Sequence, residues 1–312
     1  MNIVFLLKPL STIIPGKDTS LLFMQACQQF GCNLFFLEQN GASITSEGVK
    51  FRVNRFRCLD KGGSHSLFEI IETCLIHESN VDGLFIRTDP PFDARYLNDM
   101  WVLEQVTAPI KFINHPRGIK EVNEKIWVTQ FKQCIPPTCI TKNVEDLNDF
   151  LNVHESIILK PTDGFGGQSI VQLTKGDLNK NALFELLTDN FTRYTVAQKY
   201  IPESKNGDKR ILISDGNAIG AILRIHSSND HRNNFFAGGT AHKADITAND
   251  LSIINYIHPY LKKLGLRFVG IDIIGDFLIE INVTSPTCLQ ELNRLNQVEY
   301  HIDLVQQWLE LS

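Results

Sequence analysis

Three oxygen-bearing side chains lie close together in residues 267–287, which read RFVGIDIIGDFLIEINVTSPT. Two apolar runs flank Gly275-Asp276, a turn signal, and predict a hairpin. Alternation places Leu278, Glu280 and Asn282 on one face of the second strand, and Asp272 on the first strand can lie opposite them. Two carboxylates and an amide oxygen suit Mg²⁺ that also holds substrate phosphates. The alternative is local hydrogen bonding of Asp272, but a buried carboxylate needs a partner or loses its charge.

Cations and glycines elsewhere in the chain could complete a polyphosphate site. Lys160 ends an apolar strand and is followed by a glycine-rich tip, GFGG at 164–167. Glycines let backbone N–H groups approach phosphate oxygens, although such tips are often only turns. The tip matches neither the Walker nor the Rossmann spacing. Lys125, Arg210 and Arg224 also lie in or beside apolar segments, and solvated side chains are the alternative for all of these cations.

The elements that must position these residues are read from apolar periodicity and caps. Strand Asn2–Leu7, helix Leu21–Phe30 and strand Asn33–Leu37 predict a parallel βαβ unit. The later pattern predicts helices at Leu67–His77 and Gly118–Phe131, and hairpins at both the glycine-rich tip and Asp215-Gly216. The polar segment from His226 to Lys243 has the length of an active-site lid or a disordered loop.

Composition limits the class of protein. The 312 residues, 43% hydrophobic and 21% charged, predict a soluble protein of two or three lobes. The net charge of −5 gives no basic footprint for nucleic acid, and no apolar run is long enough to span a membrane. The 7 cysteines form no CxxC pair, so we expect neither a zinc site nor disulfides. We expect a cytoplasmic location, where the cysteines stay reduced.

Eight stretches of the chain carry a resemblance to a known family: KDTS at 17–20, RTDPPFD at 87–93, NEK at 123–125, IILKPTDGFGG at 157–167, RY at 193–194, GDKR at 207–210, AGG at 237–239 and VGIDIIGDFLIEINVTSPTC at 269–288. With these stretches the chain resembles, over nearly its whole length, the bacterial glutathione synthetases of the ATP-grasp superfamily. The last stretch is specific to this family within the superfamily. The resemblance implies an α/β chain in three parts: an N-terminal parallel pre-ATP-grasp domain at 1–117, and ATP-grasp lobes at 118–201 and 202–312.

The resemblance also implies roles for individual residues. Lys125 and Lys160 would hold the α- and β-phosphates of ATP, under a loop carrying Gly164, Gly166 and Gly167. Gln198, Tyr200 and Ile201 would frame adenine as a hinge strand, and Asp208 would lie near the ribose. Asp272, Glu280 and Asn282 would bind Mg²⁺ or Mn²⁺. Arg210, Arg224 and Asn234 would meet the transferred phosphate and the acyl intermediate, and Asp18, Arg87 and Ser285 would lie by the peptide substrate.

The expected reaction is ATP-dependent ligation of γ-glutamylcysteine and glycine to glutathione, through an acyl phosphate that a lid from Ile225 to Thr240 shields from water. The family also predicts a homo-oligomer, most simply a tetramer. In the lid, Asn233 replaces the family's glycine and Thr240 its arginine. A related ligase with another acceptor amino acid or thiol peptide is therefore the alternative. A nucleotide-binding sensor without catalysis would need a broken site, whereas the expected residues are all present.

Overall fold

The N-terminal part of the chain forms a six-stranded sheet in the order β4-β3-β2-β1-β5-β6. The computed structural model describes residues 1–59, 67–164, 166–225 and 239–311. Strand β1 pairs in parallel with β2 and β5, and β5 with β6, whereas β2, β3 and β4 are antiparallel. The elements of this part are β1 Asn2–Leu6, α1 Thr19–Gln29, β2 Asn33–Thr45, β3 Gly48–Cys58, β4 Phe68–His77, β5 Gly83–Ile86, α2 Ala94–Leu103, β6 Lys111–Ile113 and α3 Pro116–Glu121.

Two predicted helices of this region are wrong. Leu67–His77 is predominantly strand β4, which pairs with β3 along its length and leaves Ile71 and Leu75 about half exposed. Cross-strand pairing overrides the helical spacing of its apolar residues. The helix predicted at Gly118–Phe131 is interrupted: α3 ends at Glu121, and a 3₁₀ turn follows at Trp127–Gln130.

The central part of the chain forms a four-stranded antiparallel sheet in the order β7-β10-β8-β9. Its elements are β7 Thr138–Thr141, α4 Val144–His154, β8 Ser156–Pro161, β9 Val171–Thr174, α5 Lys180–Leu187 and β10 Thr195–Lys199. Helices α4 and α5 bury Leu147, Leu151 and Phe184 against this sheet, forming a hydrophobic core of its own. The predicted hairpin around the glycine-rich tip is confirmed by the antiparallel pairing of β8 and β9.

The C-terminal part forms a five-stranded sheet in the order β13-β12-β11-β14-β15. Its elements are β11 Asp208–Ser214, β12 Asn217–Ile225, β13 Thr240–Ala244, α6 Ala248–Lys263, β14 Phe268–Ile274, β15 Phe277–Asn282, α7 Leu289–Asn296 and α8 Tyr300–Leu309. Both predicted hairpins are present, since β11 pairs with β12 and β14 with β15. The three sheets fall within the predicted ranges 1–117, 118–201 and 202–312, whose exact boundaries stay predictions.

A bulge in the last hairpin changes one predicted face. Asp272 pairs with Glu280, whereas Ile273 pairs with Leu278, so Ile279 is an extra residue in β15. The extra residue reverses the alternation. Leu278 is therefore fully buried in the same core cluster as Ile281, and it does not share a face with Glu280 as the strict alternation predicts.

The N-terminal and C-terminal sheets are packed together through shared hydrophobic clusters. Phe23 on α1 and Phe85 on β5 pack against Trp308 on α8, with ring centroids 5.3 Å and 6.1 Å from its ring. The buried Asn114 donates to the carbonyls of Phe268 and Val283 and accepts from the Phe268 N–H. The strand edge that carries the predicted site is thus fixed to the first sheet. Among the described residues, no helix has the length and apolar character to cross a membrane.

Candidate active site

A cleft of about 480 Å³ is lined by residues from all three sheet-forming parts of the chain. Every predicted site residue except Asn234 lines this cleft. Asn234 and most of the predicted lid fall on 226–238, outside the described residues. The residues brought together are Asp18, Arg87, Lys125, Lys160, Gly164, Gly166, Gly167, Gln198, Tyr200, Ile201, Asp208, Arg210, Arg224, Asp272, Glu280, Asn282 and Ser285.

Lys125 reaches the cleft from the loop between α3 and the 3₁₀ turn. The side chain of Asn123 accepts hydrogen bonds from the backbone N–H groups of Lys125 and Ile126, which fixes this turn. The Lys125 ammonium donates to the Gly164 carbonyl at 2.5 Å and lies 3.4 Å from Glu280 Oε1. Burial alone would lower the pKa of Lys125, but Glu280 and Glu124 more than offset it and raise the pKa. Lys125 is therefore a fixed positive charge beneath the glycine-rich tip.

Lys160 is the second buried cation and comes from the end of β8. Its ammonium is 3.2 Å from Gln198 Oε1, and its side chain lies away from solvent. Burial lowers the pKa of Lys160 to about 8, with Glu280 opposing the shift and Lys125 adding to it. Because few nearby groups stabilise its charge, the Lys160 ammonium would be strongly stabilised by a bound anion.

The backbone of the glycine-rich tip adopts conformations that favour glycine over other residues. Gly166 and Gly167 have φ of 61° and 79°, in the left-handed region. A Cβ on Gly164 would lie 2.6 Å from Pro161 Cγ. The main chain of the tip is close to Lys125, whose ammonium donates to the Gly164 carbonyl.

Four buried charges form a network on β11, β12 and β14. Arg210 binds Asp272 through Nε and through Nη2, the latter at 2.9 Å from Oδ2. Arg224 binds Asp208 through Nε at 2.8 Å and Nη2 at 2.5 Å, and its Nη2 also lies 2.8 Å from Asp272 Oδ2. Burial raises the pKa of Asp272, but the two guanidinium groups outweigh it and hold that pKa well below its usual range. Burial, with Asp272 adding to it, raises the pKa of Asp208 although Arg224 opposes the shift. The ion pairs fix both guanidinium forks.

The oxygen cluster predicted from the sequence is only partly free to bind a metal. A carboxylate has about four acceptor positions, and the arginines occupy three of those of Asp272. Asn282 Oδ1, by contrast, is buried and has no hydrogen-bond partner among the described residues. Glu280 contacts Lys125 at 3.4 Å. A buried amide oxygen without a partner costs free energy unless something binds it, so Glu280 and Asn282 fit a hard cation. No group of three or more His, Cys, Asp or Glu in the described ranges is arranged for a metal, and the assignment of Asp272 stays a prediction.

Glu124 is a partly buried residue of the NEK stretch, and the sequence patterns assign it no role beyond a place in the predicted helix. Its Oε1 accepts from the Val283 N–H at 3.1 Å, the Thr284 N–H at 3.4 Å and the Thr284 hydroxyl at 2.9 Å. The main-chain carbonyl of Glu124 accepts a hydrogen bond from the Ile281 N–H at 3.2 Å. Burial, together with Glu280, raises the pKa of Glu124 to about 7. Glu124 thus connects the Lys125 loop to the strand that bears Asn282. The position of Glu124 next to Lys125 in the NEK stretch is the one sequence signal that could have indicated this contact.

The end of the cleft beside the first sheet carries Asp18, Arg87 and Ser285. Asp18 is the N-cap of α1, where its carboxylate accepts from the Ser20 N–H at 2.8 Å. Arg87 follows β5, is buried, and donates to Ser20 Oγ at 3.1 Å and to the Pro286 carbonyl at 2.8 Å. The carboxyl end of a parallel strand therefore supplies a cation to this part of the cleft, where open α/β sheets bind ligands.

The predicted hinge residues Gln198, Tyr200 and Ile201 line the cleft at the end of β10. The Gln198 amide bridges Lys160 and the Thr138 hydroxyl, to which it donates at 3.0 Å. The Tyr200 N–H donates to the Ser156 carbonyl at 3.0 Å. The side chain of Gln198 therefore helps to orient Lys160, in addition to the backbone contact with adenine that the resemblance predicts.

The low pKa of Lys160 makes a pH dependence of nucleotide affinity testable. Below about pH 8 the Lys160 side chain is a charged ammonium. Above that pH most of the free protein has a neutral Lys160, which must take up a proton before it can form an ion pair with a phosphate. The affinity for ADP is therefore expected to approach a tenfold loss for each pH unit above about 8. Calorimetric titration with ADP at pH values from about 7 to about 9.5 measures this.

Lys160→Arg is the matched control for that titration, because a guanidinium stays charged throughout the range. The variant is expected to bind ADP more weakly but with a flat pH profile. An equally steep profile in the variant would exclude Lys160 as the titrating group.

Comparison with known proteins gives the same site a family. The model of the prokaryotic glutathione synthetase N-terminal domain matches residues 1–120, and that of the ATP-grasp domain of the same family matches 124–297. A glutathione synthetase of Pseudomonas aeruginosa is 37% identical over 92% of this chain and 90% of its own. One of Gloeobacter violaceus is 35% identical over 99% of this chain and 96% of its own.

Solved structures resemble the fold at much lower identity. The D-cycloserine synthetase DcsG superposes with a TM-score of 0.68 at 13% identity, over 98% of this chain and 99% of its own. The macrocyclase MdnC from Microcystis aeruginosa, bound with its precursor peptide, gives 0.66 at 14% identity, over 99% and 100%. These likenesses support the fold alone.

Two antiparallel sheets that enclose a cleft with buried lysines, next to a mixed N-terminal sheet, are the architecture of an ATP-grasp ligase, and the family model of the ATP-grasp domain matches this part of the chain. Within that class, the matches to both domain models and to relatives along the whole chain decide the family. The chain belongs to the prokaryotic glutathione synthetases.

Proposed function

We propose that this enzyme uses ATP to join γ-glutamylcysteine and glycine, giving glutathione, ADP and phosphate. The cysteinyl carboxylate attacks the γ-phosphate of ATP and forms an acyl phosphate. The amine of glycine then attacks the acyl carbon and displaces phosphate. Such a reaction needs positioning and neutralised charge more than a nucleophile from the protein.

The observation that carries the proposal is the set of buried charges gathered in one cleft. Lys125 binds the glycine-rich tip and Glu280, Glu280 pairs with Asp272 across the hairpin, and Asp272 binds Arg210 and Arg224. Lys160 and Arg87 line the same cleft. ATP phosphates at the lysines would direct the γ-phosphate toward the two arginines. A peptide whose outer end reaches Arg87 would then bring its reacting carboxylate to the same place.

The residues of the chain have separate tasks in this reaction. Lys125 and Lys160 bind the phosphates of ATP, and the backbone around Gly164 covers them. Arg210 and Arg224 stabilise the negative charge that develops on the transferred phosphoryl group, because their guanidinium groups are already fixed and desolvated. Asp18, Arg87 and Ser285 orient the peptide.

A divalent cation, Mg²⁺ or Mn²⁺, fits the oxygens of Glu280 and Asn282, with Asp272 as a further ligand. The partnerless Oδ1 of Asn282 supports this assignment. When bound, the cation would neutralise the phosphate oxygens and polarise the phosphoryl group. Lys125 keeps Glu280 close to the glycine-rich tip, and Glu124 fixes the strand that carries Asn282.

A ligase with a different acceptor is the second candidate, and the lid residue Thr240 favours it. The family's arginine at this position is replaced by a hydroxyl, which lies 3.0 Å from His242 Nε2. The nucleotide site is unaffected by this change. The class of reaction is then the same, and the amino acid that attacks the acyl phosphate is different.

The test is phosphate release by the purified protein with ATP and Mg²⁺, adding γ-glutamylcysteine and glycine separately and together. We expect rapid release only with both, and glutathione as the product. Release with γ-glutamylcysteine and another amino acid, but not with glycine, would establish the second candidate. Absence of release with every acceptor would contradict both.

We also propose that the enzyme acts in the cytoplasm as a homo-oligomer, with a tetramer as the expected state. The seven cysteines of the chain are free thiols, which suits a reducing compartment. Light scattering after size-exclusion chromatography tests the assembly, and a monomeric mass at working concentration would contradict it.

A further inference from the structure

Glu291 is a buried carboxylate in the cleft that neither the sequence motifs nor the proposed reaction uses. It lies in the first turn of α7, after Cys288, and is 8% exposed. Its Oε2 is buried and has no hydrogen-bond partner among the described residues. The side chain nevertheless lines the same cleft as Arg87 and Ser285.

The surroundings of Glu291 do not compensate its charge. The cations that act on it electrostatically are Arg294 and Lys17, and neither is within ion-pair distance in the described part of the chain. Burial raises the pKa of Glu291 despite a hydrogen bond to the carboxylate from its own backbone N–H and despite these two cations. A desolvated carboxylate oxygen without a donor is costly, and the cost is relieved when a cationic donor binds.

The position of Glu291 selects which part of a ligand could supply that donor. The preceding residue, Gln290, donates to the Asp18 carbonyl at 2.7 Å. Arg87 donates to the Pro286 carbonyl at 2.8 Å. These bonds hold the start of α7 against the first sheet, so Glu291 belongs to the peptide end of the cleft.

We propose that Glu291 binds a primary ammonium group of the substrate, namely the α-ammonium at the γ-glutamyl end of the peptide. The assignment rests on the proposed function. A γ-glutamyl group carries a free ammonium and a free carboxylate on one carbon. The same cleft offers a carboxylate oxygen without a partner, on Glu291, and a guanidinium, on Arg87, which are complementary to these two groups. Glu291 would thus distinguish a γ-glutamyl peptide from one whose amine is absent or acylated.

The test compares γ-glutamylcysteine with glutarylcysteine, the same molecule without the α-amine. Hydrogen bonds to charged groups correspond to about 10- to 100-fold in binding, so the wild-type enzyme is expected to prefer the amine by about that factor in kcat/KM. In Glu291→Gln, kcat/KM for γ-glutamylcysteine is expected to fall by this same factor, whereas kcat/KM for glutarylcysteine is expected to change by less than about threefold. The KM values of ATP and glycine are expected to stay the same.

Glu299→Gln is the matched control, since Glu299 is exposed at the start of α8. A helix-stabilising role of Glu291 alone would lower the thermal stability and reduce activity equally with both peptides, and this result would overturn the proposal. Equal kcat/KM of the wild-type enzyme for the two peptides would overturn it without any variant, and so would a selective rise in the KM of glycine in Glu291→Gln. No turnover of either peptide by the wild-type enzyme would instead contradict the proposed function.

Discussion

Glu280→Gln is expected to lower the turnover number by about 1,000-fold, because a bound cation contributes several kcal/mol to the transition state and an amide is a poorer ligand for it. Glu280 pairs with Asp272 across the hairpin, and the Oδ1 of Asn282 on the same strand has no partner in the described chain. The substitution keeps the size of the side chain. It removes the negative charge that a divalent cation requires.

The measurement combines steady-state turnover with Mn²⁺ binding in the presence of ADP, followed by electron paramagnetic resonance. Asp276→Asn makes the same chemical change in the exposed turn of the same hairpin, and it is expected to keep full activity. A Glu280→Gln enzyme that turns over within about threefold of wild type would exclude Glu280 from the metal site. Loss of turnover with unchanged Mn²⁺ affinity would also contradict the assignment.

The hairpin that carries this site could be predicted because its signals are local. Gly275-Asp276 fixes the turn, and the apolar alternation on both sides fixes the strands. Asp272 therefore faces Glu280 as the sequence indicates. The bulge at Ile279 could not be predicted, because the core beneath Leu278 decides which residue is turned inward.

The wrong assignment of β4 has a different origin. Phe68, Ile71 and Leu75 have helical spacing, whereas the β-branched residues of the segment favour a strand only weakly. The partner that makes it a strand is β3, with which it pairs from Lys50↔His77 to Cys58↔Phe68. Pairing between separate segments is invisible to periodicity alone.

The sequence predicts which residues come together in the cleft, but it does not predict the partners that they bind there. Lysine, arginine and carboxylate positions can be read from motifs, and the cleft brings them together. The bond between Glu124 and Val283, by contrast, joins residues on different sheet-forming parts of the chain. The engagement of Asp272 by two arginines, and of Asp208 by Arg224, likewise depends on how β11, β12 and β14 lie side by side.

Asp208 illustrates how such a contact changes an expected role. The resemblance implies that Asp208 lies near the ribose of ATP, whereas both of its carboxylate oxygens bind Arg224. Arg224 in turn reaches Asp272 at 2.8 Å. The geometry therefore favours a positioning role, in which Asp208 holds the guanidinium that meets the transferred phosphate.

Asp208→Asn is accordingly expected to lower kcat by about 100-fold, the size of the loss when one preorganised donor of a developing anion is misplaced. The KM of ATP is expected to stay within about threefold, because the effect falls on the transferred phosphoryl group and not on nucleotide binding.

Steady-state kinetics with ATP and with 2′-deoxyATP, in Asp208→Asn, Arg224→Gln and the double variant, measures both roles. Since Asp208 acts through Arg224, the double variant is expected to be little worse than Arg224→Gln alone. A ribose contact predicts the reverse: additive losses, a raised KM of ATP, and a variant that no longer distinguishes ATP from 2′-deoxyATP. Thermal unfolding of each variant separates these outcomes from simple destabilisation, which buried ion pairs make large when one partner is removed.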